Sequence, residues 1–240
     1  MNDDDLNDLA YWFPILATAG VPVPKTIIVP GSDDLMMVLD HELPPSWPTF
    51  VVALTKAAQQ LGYPNQSVFL RTGWLSGKHS WRDTCAVEPG QDILRHVGRL
   101  VDESGCCGFL GLPVRSWAVR EMLPVFPWFT AFAGDMPICT EARVFFADHK
   151  FVAHVRYWPD DAIMLPSVED FAPSLAKMDD EIADALPLLR ERTERVAALF
   201  NGAWSLDWLK ASTGEWYAID MALARCSWGC PDTLKEAPPA

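Results

Sequence analysis

Basic residues are scarce in this sequence. Lys and Arg number 19 against 32 Asp and Glu over 240 residues, a formal net charge of −13. A protein that coats nucleic acid needs the opposite balance, so no nucleic-acid partner is expected, though a local basic pocket is compatible with these numbers. Long apolar runs are lacking too. The longest uncharged stretch of note, Leu9–Pro24, is cut by Pro14, Gly20, Pro22 and Pro24, whereas a membrane helix needs about 20 mostly apolar residues. The first residues, Met1-Asn2-Asp3-Asp4-Asp5, are acidic where a signal peptide begins basic. The expectation is a soluble, cytoplasmic protein with no membrane partner.

Several chemical signatures are missing. None of the six cysteines forms a C-x-x-C pair, which argues against a zinc ribbon and for reduced, mostly buried thiols. There is no GxxxxGK[ST] loop, no G-x-S-x-G elbow and no H-E-x-x-H pair. The five histidines are scattered, and His96 is expected to be exposed on its helix. No internal repeat or low-complexity tract occurs; Met1–Asp5 and Lys235–Ala240 read as loose tails.

What the chain has is apolar mass. Half its residues are hydrophobic and 11 are Trp, enough for one large domain or two lobes of about 100 residues each. Leu6–Leu16 reads as helix and Thr26–Val29 as strand. Ser46 can cap a helix running to Leu61, with Pro48 in its first turn and Gly62 past its end. Val68–Trp74 and Val114–Leu123 read as strands. Ile93, Leu94, Val97, Leu100 and Val101 put a helix over 91–104. Glu141–Ala147 with Lys150–Trp158 forms one hairpin, and Trp204–Lys210 with Glu215–Met221 another. Between them Ser167 can cap a helical region reaching Phe200, with breaks or kinks at Pro173 and Pro187. The run Met122–Ala133, rich in Pro, Phe and Trp, is either an exposed apolar surface or a packed inter-lobe loop. Strands and helices mix without βαβ alternation, which favours α+β lobes with antiparallel sheets over a doubly wound parallel sheet.

The last hairpin carries the sharpest signal. With Thr213-Gly214 as a two-residue turn, Asp207 faces Asp220 across the strands. Leu206, Trp208, Tyr217, Ile219 and Met221 then form a core face, and Ser205, Asp207, Ala218, Asp220 and Ala222 a small acidic one. Opposed like charges are destabilising, so something neutralises them. A divalent cation bound by two carboxylates, waters and substrate phosphates is one answer; a solvated edge, or an Arg or Lys between them, is the other. In the earlier hairpin, an Asp148-His149 turn sets Glu141 opposite Arg156 and Arg143 opposite His154. Two guanidinium forks on one face suit phosphate or carboxylate, unless they serve a cross-strand ion pair. Arg71–Lys78 leads a strand into a loop with two glycines and a lysine, able to cradle phosphates or to be an ordinary turn.

The order of these features resembles a known family. Leu70-Arg71-Thr72-Gly73-Trp74-Leu75-Ser76-Gly77-Lys78-His79-Ser80-Trp81 is similar to the nucleotide loop of an ATP-grasp branch. That branch contains the eukaryotic cell-division-cycle assembly factors for translation initiation factor two, with related bacterial and phage proteins. Val119-Arg120-Glu121-Met122-Leu123 resembles the hinge strand, and Glu141-Ala142-Arg143-Val144-Phe145-Phe146 the E-F-R-x-F strand after it. Ser205-Leu206-Asp207-Trp208 and Gly214–Asp220 resemble the closing hairpin, and Gly20–Thr26 the N-terminal strand entry. The likeness spans roughly 20–228.

The resemblance implies two α+β lobes with antiparallel sheets clasping ATP. A small N-terminal α/β unit (1–62) would precede the N-terminal lobe (63–118) and the C-terminal lobe (119–240). Arg71 and Lys78 would reach phosphates, Glu121, Met122 and Leu123 would meet adenine, Arg143 with Arg156 would contact the γ-phosphate side, and Asp207 with Asp220 would hold Mg²⁺. Lys78, Arg143 and Arg156 would carry catalysis by a carboxylate–amine ligase working through an acyl phosphate, on a small-molecule, peptide or protein substrate. The alternatives are an ATP-binding assembly factor without ligase activity and a degenerate fold that binds no nucleotide. The last has a motive: Ala222 stands where the family has a metal-ligating Asn two residues after its final acid.

Overall fold

The computed structural model describes residues 3–107 and 111–236. Two four-stranded antiparallel sheets face each other across a cleft. The first has the order β1 (Thr26–Pro30), β4 (Ser116–Glu121), β2 (Val68–Thr72), β3 (Ala86–Val87). Alternation splits its strands into two faces. Val68, Leu70, Trp117 and Val119 pack against α3 (Trp47–Gln60) and α4 (Ile93–Cys106). Phe69 pairs with Arg120 and Arg71 with Ala118 on the opposite face, toward the cleft. The α4 helix starts where Asp92 accepts the Leu94 N–H at 2.9 Å, and its Val97, Leu100 and Val101 are fully buried.

The second sheet has the order β10 (Trp216–Leu223), β9 (Ala203–Lys210), β7 (Glu141–Ala147), β8 (Lys150–Arg156). Its back, with Ala142, Val144, Phe146, Leu206, Trp208 and Met221, packs against the long helix α5 (Ala172–Ala197). Pro187 lies inside α5 without ending it. The helix begins after Ser167 because that side chain is used elsewhere: its Oγ accepts the Thr130 N–H at 3.0 Å. Thr130 belongs to a small hairpin, β5 (Phe129–Ala131) with β6 (Met136–Ile138). The 122–133 run is divided: Phe129, Ala131 and Phe132 are buried, whereas Pro124, Phe126 and Pro127 are exposed.

The N-terminal segment does not stand apart as an α/β unit. It gives β1 and α3 to the first sheet, while α1 (Asp3–Asn7) and α2 (Leu9–Leu16) bury Leu6, Leu9, Trp12, Phe13 and Leu16 in the second core. The expected single helix over 6–16 breaks at Asp8, which caps α2 by accepting the Ala10 N–H at 2.8 Å. Asp8 also accepts the Ser116 hydroxyl at 2.5 Å. The 118/119 lobe boundary falls within β4. The ends expected as loose contain α1 and α6 (Asp232–Lys235); Met1, Asn2 and 237–240 lie outside the described residues. Two further expectations are corrected. His96 is 3% exposed, its Nδ1 at 2.9 Å from the Thr84 carbonyl. Of the six free cysteines only Cys85 and Cys139 are buried.

Both hairpins contain a bulge, and each changes what the sequence pattern implied. In β7–β8 the pairing from the turn runs as expected through Phe146 opposite Phe151. An extra residue, Val152, then shifts the register, so that Phe145 faces Ala153, Arg143 faces Val155 and Ala142 faces Arg156. A one-residue slip reverses the face. Arg156 consequently lies on the α5 side of the sheet, away from Arg143.

In β9–β10 two departures cancel. The connection is Ser212-Thr213-Gly214, since the Ala211 N–H donates to the Glu215 carbonyl at 2.8 Å. Pairing near the turn is thus one residue off, with Trp208 opposite Ala218. A bulge at Ile219 restores it, and Asp220 faces Asp207 as expected. Ala218 is a core residue beside Trp208, while Ile219 and Leu209 face the cleft.

Candidate functional site

Between the sheets lies a cavity of about 220 Å³, walled by Phe69, Met122, Leu123, Val125, Met136 and Ile219 at its apolar part and by Arg71, Lys78, Arg120, Glu141 and Asp220 at its charged part. A second cavity of about 320 Å³ adjoins it across Arg71 and Asp220 and includes Asn7, Trp74, Arg143, Ser205, Asp207, Ala222 and Cys226. The expected residues Arg71, Lys78, Glu121, Met122, Leu123, Arg143, Asp207 and Asp220 line one or both cavities. Arg156 lines neither. It donates to Asp179 of α5 at 2.6 Å and to the Trp158 carbonyl at 2.8 Å, and it also pairs with Asp160.

Three polar contacts between cavity-lining residues cross the cleft. Arg71 Nη1 of β2 meets Asp220 Oδ1 of β10 at 2.9 Å. Lys78 Nζ meets Glu141 Oε2 at 3.1 Å. Arg120 Nη1 of β4 donates to the Ile219 carbonyl at 2.6 Å. Within the second sheet, Arg143 holds Asp207 through a two-pronged contact, Nε to Oδ1 at 2.7 Å and Nη2 to Oδ2 at 2.8 Å. The neutralising cations that the opposed acids required are these arginines.

The loop carrying Lys78 is held on both sides. Gly73 sits where any Cβ would lie 2.0 Å from Ser116 Oγ and 2.2 Å from Asp8 Oδ1, so only glycine permits that approach. From the other lobe, His79 stacks on Phe132 at 4.2 Å between ring centres, and Arg82 pairs with Asp135 at 2.9 Å. Gly134 presses on the same loop; a Cβ there would come within 2.2 Å of the Trp81 nitrogen. The Lys78 ammonium lies 4.1 Å from the Tyr157 ring centre.

Burial sets the electrostatics. Desolvation works against the Lys78 charge, but Glu141, Tyr157, Asp207 and Asp220 outweigh it and hold the ammonium charged. Desolvation likewise opposes the Asp220 charge, and Arg71 and Arg120 overcome it and hold the carboxyl below the usual range. Arg120 is different. Burial first and Arg71 second push its pKa down to about 9. Its Nε and Nη2 are buried without a hydrogen-bond partner. Its guanidinium rests 5.8 and 5.3 Å from the ring centres of Trp12 and Phe13. In the sequence Arg120 stands out only as part of the hinge-like motif. The available signal was a charged residue directly after the apolar run Trp117–Val119. Glu141 was missed as the partner of Lys78, a contact no local pattern encodes.

Glu121 is tied to the strand entry through both its side chain and its backbone. Its Oε1 accepts the Lys25 N–H at 2.8 Å, and its own N–H donates to the Lys25 carbonyl at 2.9 Å, which pins the strand exit beside Met122 and Leu123. As for a cation, Asp207 and Asp220 offer carboxylate oxygens in one cavity, the donor type a hard divalent ion takes. The Asp220 side chain is 26% exposed, so the carboxylate is reachable from the cavity. Ala222 adds no ligand, and the Asn7 Oδ1 in that cavity already accepts the Leu223 N–H at 2.8 Å. Among the described residues no group of three His, Cys, Asp or Glu side chains could hold a metal ion. Two carboxylates alone would leave most of a divalent ion's shell to water and other ligands. No helix among the described residues is long and apolar enough to cross a membrane.

No family model matches the sequence, and no curated protein matches it. Solved structures do. C-terminally truncated Cdc123 from Schizosaccharomyces pombe is similar over 95% of this chain and 88% of its own, with 12% identity and a TM-score of 0.59. Another structure of Cdc123 from that organism gives the same coverage, 13% identity and a TM-score of 0.55. A RimK domain ATP-grasp protein from Sphaerobacter thermophilus is more distant, with 15% identity over 90% of this chain and 57% of its own, and a TM-score of 0.40. The fold shared with Cdc123 over nearly the whole chain is the two-lobed arrangement of antiparallel sheets that the motif order implied.

Proposed function

We propose that the cleft binds ATP together with Mg²⁺ and that the protein is an ATP-dependent carboxylate–amine ligase. One observation carries the anionic ligand. A chain of net charge −13 gathers Arg71, Lys78, Arg120 and Arg143 around three carboxylates, and leaves buried Arg120 without one. A buried guanidinium with two unpaired nitrogens is costly unless something negative completes it. The apolar end, beside the backbone of 121–123, suits a base. The charged end suits a triphosphate.

Bound there, the cation would be held by Asp207 and Asp220 and would neutralise charge on the phosphate oxygens. The chain's own groups would orient the γ-phosphate: Arg71 and Arg143 by two-pronged contacts, Lys78 as a fixed point charge. The adjoining cavity leaves room for an acceptor carboxylate. Its oxygen would attack the γ-phosphorus as ADP departs, and an amine would then displace phosphate from the acyl carbon. Positioning and charge neutralisation would supply the acceleration.

An assembly-factor reading has one observation in its favour: the loop bearing Met164 and Leu165 exposes both side chains, at 64% and 69%. The test is ADP release from Mg-ATP with pooled acids and amines. ADP formed only when an acid is present supports the ligase. Mg-ATP binding with no ADP under any pool refutes the ligase and leaves the assembly factor. No binding at millimolar Mg-ATP refutes both.

A further inference from the structure

The groups best suited to hold phosphate and the groups best suited to hold a cation are bound to each other. Arg71 is committed to Asp220 at 2.9 Å. Arg143 is committed to Asp207 through both of its prongs, at 2.7 and 2.8 Å. Neither arginine can form a two-pronged contact with phosphate while its carboxylate holds it, and Asp207 has both oxygens engaged. The Arg71 pair also ties one lobe to the other, since β2 and β10 belong to different sheets.

We infer that the cleft loads by partner exchange, a reading that rests on the nucleotide assignment above. A divalent cation takes Asp220 and Asp207 from their arginines, and the released guanidinium groups take the phosphates. Each ligand then lowers the cost of admitting the other. Linkage requires the effect to be mutual, so cation and nucleotide bind as a coupled pair. Metal-free nucleotide is held weakly because the carboxylates out-compete it for the arginines. The carboxylates are thus more than ligands: they occupy the phosphate site until a cation calls them away.

The inference makes a prediction of unusual sign. In a simple metal site, losing a ligand weakens nucleotide binding. Under exchange, Asp220→Asn releases Arg71 and tightens the binding of metal-free ATP. Removing a negative charge also relieves plain repulsion, so the test is a double-mutant cycle. Calorimetry in excess EDTA would compare wild type, Asp220→Asn, Arg71→Gln and the double variant, with ATP as probe.

The expected gain from Asp220→Asn is roughly tenfold or more when Arg71 is present, the scale of one charged hydrogen bond, and less than about twofold when it is Gln. Magnesium should tighten ATP binding strongly in wild type and weakly in Asp220→Asn. An equal gain in both backgrounds, or no gain, overturns the exchange while leaving the nucleotide site intact. Failure of wild type to bind Mg-ATP overturns the nucleotide reading and the exchange with it. Should Asp220→Asn not fold, the same cycle on Asp207→Asn and Arg143→Gln decides, with the same outcomes.

Discussion

Replacing Arg120 with Met should stabilise the ligand-free protein while destroying its response to ligand. The guanidinium is 4% exposed, and its pKa falls from 12.5 to about 9. At about 1.4 kcal/mol per tenfold change, keeping the charge there costs roughly 5 kcal/mol relative to the unfolded chain. Against that stand one charged hydrogen bond to the Ile219 carbonyl, about 1.5–3 kcal/mol, and contacts to Trp12 and Phe13 worth about 1 kcal/mol. Methionine keeps the packing volume and the apolar contact with both rings. The balance favours the variant by about 1–2.5 kcal/mol, or ~2–10 °C in a chain of this size.

Ligand at 100 times its dissociation constant adds about 2.7 kcal/mol to wild type, or ~5–11 °C by the same conversion. Arg120→Met should lose most of that increment. Thermal unfolding with and without Mg-ATP reads both numbers. A variant that melts lower than wild type and keeps its full ligand response would refute the reasoning, since Arg120 would then be only a structural tie to Ile219.

Other expectations follow from the same geometry. Lys78→Met leaves Glu141 buried without its cation and should cost about 3–5 kcal/mol in urea unfolding, most of which Glu141→Gln in the same chain should recover. His96 is buried against the Thr84 carbonyl, and burial lowers its pKa from 6.5. The unfolded chain therefore binds the proton first, so stability is full above about pH 6.5 and falls as pH drops below it. His96→Gln should flatten that slope in part, the remainder belonging to His79, whose pKa burial and Lys78 also lower. Gly134→Ala meets the Trp81 backbone at 2.2 Å and should loosen the Lys78 loop. Limited proteolysis around 78–82 would detect faster cutting, and an unchanged pattern would argue that the lobes close without that contact.

Much of the scaffold was legible because it follows from periodicity. The apolar spacing of Ile93, Val97, Leu100 and Val101 predicts α4, and alternation predicts the strands of both hairpins. The opposition of Asp207 and Asp220 was also legible, though by a route that hid two errors. The turn at 212–214 is longer than assumed, and the bulge at Ile219 compensates. No such compensation exists at Val152, and Arg156 was assigned to the wrong face for that reason alone. Bulges are single-residue events that leave no mark in a hydrophobic pattern. The rest was illegible for a different cause. Arg71 with Asp220 and Lys78 with Glu141 join residues far apart in the chain. The choice between metal and arginine as partner of the acids depends on which distant strand faces them. Ser46 does stand at the N-cap of α3, but its hydroxyl goes to Asp34 at 2.5 Å rather than to a helix N–H, a contact just as invisible locally.

The bulge at Ile219 acts as a mechanical fuse between a surface turn and the chemistry beneath it. Three residues connect β9 to β10 where two would suffice for a tight hairpin. The surplus travels no further than Ile219, because the strand absorbs it there as a local kink. A change in length at 212–214 would have to grow or erase the kink, and erasing it would turn Trp216 and Ala218 away from the core they now fill. The alignment of the acidic pair is thus bound to the length of a turn that is itself anchored, the Ser212 N–H donating to the Pro124 carbonyl at 2.8 Å.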